Sequence, residues 1–175
     1  GAAIVSGVMA AKGLLEGIVD FTPEELLSLA TDMEGHPDNI APSLFGGLTI
    51  AWMTEEGPKH KQLSVHRGVS LVVAVPEDAS MSTQLARSLQ PETVPHQDAI
   101  FNLSRSALLI AALIQSPELL FEATEDRLHQ NYRASAMQDT NALLTSLREA
   151  GFAAVVSGAG PSVLILCSDP AQRPE

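Results

Sequence analysis

Two short apolar runs, residues 152–156 and 162–166, are parted by Ser157-Gly158-Ala159-Gly160-Pro161. Runs this short, hemmed in by glycine and proline, read as two buried strands around a glycine loop rather than as helix. Strands must bury a face against another layer, so helices are required elsewhere. They are easily found. Thr22-Pro23-Glu24-Glu25 offers an N-cap, a proline at the first helical position and acids in the first turn, opening a helix to about residue 33. Residues 135–150 read as helix stopped by Gly151, and residues 97–115 as a helix apolar nearly all round, expected to be the buried one.

Shorter pieces complete the pattern. Residues 44–54 and 69–75 read as strands with a turn over 55–61 between them, Ser80 or Ser82 caps a short helix through Leu89, and Pro117 begins a helical piece to about residue 124. Ile4, Val8, Ala11 and Leu15 recur at helical spacing over residues 2–18, yet no capping residue precedes them, so the chain reads as cut at its front. The expected class is α+β, without internal repeats, and its seam falls between Trp52 and Val69, where proline and charge cluster.

Charge narrows the function. With 21 acidic against 10 basic side chains the net charge is −11, which argues against nucleic acid and anionic membrane as partners. The longest apolar run, residues 107–114, falls short of the roughly 20 residues a spanning helix needs. No basic leader or cleavage pattern opens the chain, and the single cysteine, Cys167, reads as a small buried hydrophobe in a chain suited to the cytoplasm.

Two polar segments carry candidate chemistry. Glu34-Gly35-His36-Pro37-Asp38-Asn39 packs two carboxylates, an imidazole and an amide into a turn constrained by Gly35 and Pro37. One reading is a site; the other is an ordinary turn in which Asp38 or Asn39 caps a helix. The glycine loop likewise admits an anion-binding nest of backbone N–H groups or a plain turn between strands. Arg87 and Arg133 each read either as a solvated surface charge on a helix or as a planar fork for a ligand carboxylate. His129 reads as a structural histidine.

Residues 34–47 (EGHPDNIAPSLFGG), 125–133 (EDRLHQNYR) and 156–162 (VSGAGPS) resemble, in order, three signature segments of the homoserine kinase family within the GHMP small-molecule kinase superfamily. The resemblance implies the C-terminal portion of an N-terminal ATP-binding α/β domain over residues 1–62, then a truncated ferredoxin-like α/β sandwich over 63–175. It implies ATP, Mg²⁺ and phosphoryl transfer to the side-chain hydroxyl of L-homoserine. By residue matching, Glu34 resembles the magnesium-binding glutamate; His36, Asn39, Thr83, Arg87 and Arg133 resemble substrate contacts. Ser157, Gly158, Ala159 and Gly160 resemble the shared phosphate-side loop. Asp38 and Asn39 resemble the catalytic positions, with the need for a base left open.

Departures accompany the likeness. The superfamily's Gly-Leu-Gly-Ser-Ser loop should precede Ala2 and does not, Gly1 stands where Ser or Ala is usual, and Asn131 replaces a frequent proline. The expectation is therefore a fragment with much of the acceptor site, inactive alone, with a homodimer as an admissible assembly. The alternatives are another GHMP kinase acting on a different small alcohol, and a non-catalytic binding module.

Overall fold

A computed structural model describes residues 1–77 and 83–169, with the side chains of Thr83, Gln84 and Arg87 outside the description. The chain divides into two compact units, residues 1–65 and 66–175.

In the first unit, α1 (Ala2–Leu14), α2 (Pro23–Glu34) and α3 (Ile40–Phe45) precede a hairpin of β1 (Leu48–Thr54) and β2 (Gly57–Leu63). The start of α2 forms as its sequence dictates. Thr22 Oγ1 accepts from Glu25 N at 3.2 Å while Glu25 Oε2 accepts from Thr22 N at 2.8 Å, a reciprocal capping box that satisfies two otherwise orphaned amides. Leu26, Leu27 and Ala30 of α2 are buried with Val5 and Val8 of α1 and Ile40 and Ala41 of α3. The helix expected over 2–18 ends four residues early, at Leu14.

The hairpin departs from expectation. Residues 40–45 are helical, so the strand begins only at Leu48, and most of the stretch read as a turn is β2, paired antiparallel from Thr54↔Gly57 to Leu48↔Leu63. Pro58, Lys59 and Lys61 gave β2 no apolar alternation to betray it. Backbone pairing and the stacking of His60 on Phe45, with centroids 3.8 Å apart and planes within 3°, hold it instead.

In the second unit, β3 (Ser70–Ala74), β4 (Ala153–Val156) and β5 (Val163–Cys167) form an antiparallel sheet in the order β3-β5-β4. Between β3 and β4 lie α4 (Thr83–Ser88), α5 (His96–Ile114), α6 (Leu120–Ala123), α7 (Gln130–Arg133) and α8 (Gln138–Glu149). One sheet face packs under α8, joining Leu144 to Ala154, Val163, Ile165 and Cys167. Burying a leucine there contributes about 1.5–3 kcal/mol. The proposed caps Ser80 and Ser82 lie outside the described residues.

The expectation that α5 is the buried helix fails. Only Ala112 and Leu113 of α5 are buried, while Ile100 and Leu103 are 54% and 71% exposed. Periodicity registers how apolar a helix is, not which faces neighbours cover. Phe101 is covered by cations instead, with the guanidinium carbons of Arg127 and Arg105 at 3.8 and 4.2 Å from its ring centroid. By length and composition alone α5 could also cross a membrane, which the short apolar run did not anticipate. Its two charged residues are paired within the unit, Asp98 with Arg127 at 3.5 Å and Arg105 with Glu125 at 2.7 Å.

Candidate functional site

Glu34 closes α2, and Gly35, with φ at +93°, ends the helix by donating its N–H to the Thr31 carbonyl at 2.7 Å. That left-handed turn is open to glycine and strained for other residues. It swings the next side chains out of the helix. Asn39 then opens α3, but no side chain caps that helix, so Asp38 and Asn39 are not spent on local capping.

Asp38 instead faces His36, with Oδ1 2.5 Å from Nδ1; the contact is close but not a well-directed hydrogen bond. The Glu34 carboxylate accepts from the Gly1 amino group at 3.0 Å, and a Cβ on Gly1 would lie 2.9 Å from Asn39 Cβ. Glu34 and Asn39 thus converge on the start of α1.

In the second unit the glycine loop closes the β4–β5 hairpin. Ser157 N donates to the Ser162 carbonyl at 2.8 Å and Gly160 N to the Ser157 carbonyl at 3.0 Å, with Gly158 and Gly160 at φ of +59° and +90°. Two of the loop's amides are therefore used by the turn itself. The N–H groups of Gly158 and Ala159 are left for a ligand, a narrower nest than the glycine spacing suggests.

The loop is braced from outside. Arg133 Nη1 donates to the Gly158 carbonyl at 3.0 Å, Thr140 Oγ1 to the Pro161 carbonyl at 2.7 Å, and Val156 N to Gln130 Oε1 at 2.7 Å. Arg133 and Gly158 are thus brought together. Beside Pro161 opens a mainly apolar cleft of about 420 Å³, lined by Val75, Met137, Thr140 and Val163, which Arg133 does not reach. Thr83 and Arg87 fall on α4, but their side chains lie outside the described residues.

The segment bearing Arg133 is set by Asp126. Its carboxylate accepts from Asn102 Nδ2 at 2.7 Å and from the backbone N–H groups of Leu128, His129 and Gln130 at 3.1, 2.9 and 2.7 Å. Burial pushes the Asp126 pKa up, and these hydrogen bonds, that from Gln130 foremost, outweigh it and leave the group below its ordinary value. The stability it supplies is present above the unfolded pKa, near 3.8, and is lost as pH falls through the lower folded value. Asp126→Asn, which keeps one acceptor oxygen, is expected to cost about 1.5–3 kcal/mol at pH 7. Urea titrations should show that deficit shrinking below about pH 3.8.

Asp126, Gln130 and Thr140 escaped the sequence reading as loop supports. The first two lie inside a signature segment, but nothing in their spacing shows that they hold a loop some 25 residues on.

These features coincide with clear kinship. Residues 105–175 match the family model described as GHMP kinases C terminal. The chain is 72% identical to the homoserine kinase of Leifsonia xyli over 99% of its own length and 53% of the relative's, and 73% identical to that of Clavibacter michiganensis over 99% and 54%. The crystal structure of homoserine kinase from Cytophaga hutchinsonii superposes with a TM-score of 0.79 at 22% identity, covering 95% of this chain and 54% of that one. The last likeness bears on fold alone.

Residues 105–175 are thus similar to the C-terminal part of GHMP kinases. The relatives that the chain resembles over nearly its own whole length are homoserine kinases, of which it spans about half the length.

Proposed function

We propose that this sequence carries the acceptor-binding part of an ATP-dependent homoserine kinase, which transfers the terminal phosphoryl group to the side-chain hydroxyl of L-homoserine in the cytoplasm. Residues 1–62 then form the end of the ATP-binding domain and residues 63–175 the GHMP C-terminal domain. One observation supports this beyond kinship: the Arg133 guanidinium is fastened to the glycine-loop carbonyl, 3.0 Å from Gly158 O. A planar cation beside a turn with bare amides can hold the ligand's carboxylate next to phosphate-side donors.

The resemblance adds His36, Asn39, Thr83 and Arg87 as acceptor contacts, and the loop over Ser157, Gly158, Ala159 and Gly160 as the phosphate side. Glu34 would hold Mg²⁺. No cluster of three metal-binding side chains occurs among the described residues, and Mg²⁺ commonly takes one or two carboxylates with the substrate's phosphates. The ion would neutralise charge on those phosphates. Asp38, facing His36, and the Asn39 amide are available to orient the hydroxyl. Such transfer depends on positioning and charge neutralisation more than on a strong base.

Titration calorimetry of the chain with L-homoserine and with homoserinol, which lacks the carboxylate, tests the acceptor assignment. Homoserine is expected to bind at least about 30-fold more tightly, given about 2–5 kcal/mol for a desolvated charge pair. Equal affinities, or preference for sugar or mevalonate-like alcohols, would overturn it.

A further inference from the structure

Arg133 has a second tether. With its amide oriented to satisfy both neighbours, Gln90 accepts from Arg133 Nε at 2.9 Å and donates to the Leu128 carbonyl at 2.7 Å. Gln90 lies just beyond α4, in the stretch joining it to α5, while Leu128 and Arg133 lie in the 125–133 segment, so one side chain ties two stretches far apart in sequence. No motif singled it out.

The chemistry of a guanidinium gives this bond a directional consequence. Its five N–H donors form two forks for a carboxylate: a side-on pair through Nε and Nη2, and an end-on pair through Nη1 and Nη2. Gln90 occupies Nε and so closes the side-on fork. The Gly158 carbonyl takes one hydrogen of Nη1 at 3.0 Å. What remains is Nη2 with the other hydrogen of Nη1.

We infer that Gln90 is a positioning residue for Arg133, fixing the guanidinium so that a ligand carboxylate meets it end-on beside Gly158. The Leu128 carbonyl makes the arrangement one-way, because it accepts only from the Gln90 NH₂ and so keeps the amide oxygen turned to Nε. A glutamate at position 90 would keep the bond to Nε but lose the donor to Leu128. A leucine would lose both. This inference rests on the acceptor-site reading above, but one of its readouts does not.

The test uses the whole chain, with Gln90→Leu and Gln90→Glu as variants. The first readout, free of any ligand, is the Arg133 Nε–H signal in nitrogen-15 NMR, assigned with Arg133→Lys. Protection from exchange is expected in the wild type and in Gln90→Glu, and its loss in Gln90→Leu. The second is calorimetry with homoserine and homoserinol. Gln90→Leu should weaken homoserine at least about tenfold, as one lost hydrogen bond to a charged group implies, and leave homoserinol unchanged. A purely structural role would weaken both ligands together, and that outcome overturns the inference. So does an Nε signal indifferent to position 90, whatever the ligands do. A wild-type chain that binds homoserine no better than homoserinol would sink the acceptor-site reading, and the carboxylate-orienting role with it, while the Nε signal still reports whether Gln90 holds Arg133.

Discussion

Replacing Arg133 by methionine is expected to weaken homoserine binding by at least about 30-fold, because a carboxylate drawn from water loses its bidentate partner, a change of about 2–5 kcal/mol. Stability should change far less. The residue is only partly buried, and the two protein acceptors it leaves, the Gly158 carbonyl and the Gln90 amide, are neutral groups near the surface. Calorimetry and a thermal melt on the same sample separate the two quantities. Arg133→Lys should recover little affinity, since an ammonium keeps the charge but not the planar fork. Unchanged affinity in the methionine variant would remove residue 133 from the site.

Gly160→Ala should produce the largest loss of stability among small changes in the second unit. Gly160 sits at φ +90°, and an added Cβ would lie 2.8 Å from Met137 Sδ and 3.2 Å from Val156 Cγ1. The methionine can yield, being flexible, but the backbone angle cannot be relieved without reshaping the hairpin. Left-handed strain of about 1–3 kcal/mol plus incomplete repacking predicts a total near 2–4 kcal/mol. For a chain of this size that is a drop of roughly 5–15 °C in melting midpoint. A Met137→Ala background separates the two causes. It should restore the steric share alone, and full recovery would show that the backbone angle carries no cost.

The parts of this fold that could be read in advance are those coded by local chemistry. The Thr22 cap, the Gly151 helix stop and the strand pair around the glycine loop each rest on residues within a few positions of one another. What escaped depends on partners distant in sequence. β2 is a strand because β1 lies beside it, and α3 takes Leu44 and Phe45 from the stretch that read as strand. The exposure of α5 is decided by what does not cover it. The candidate site divides the same way: Arg133 and the glycine loop were visible as motifs, whereas Gln90, Gln130 and Thr140 act through bonds spanning 21 to 43 residues.

The hub at Asp126 reaches beyond stability. Asn102 serves it twice over, giving its amide N–H to the carboxylate and taking the Arg127 N–H on its oxygen at 2.9 Å. Neither side chain can be exchanged alone without stranding the other's donors or acceptors. Among natural variants of this sequence, positions 102 and 126 should therefore be inherited as a couple, altered jointly or left untouched.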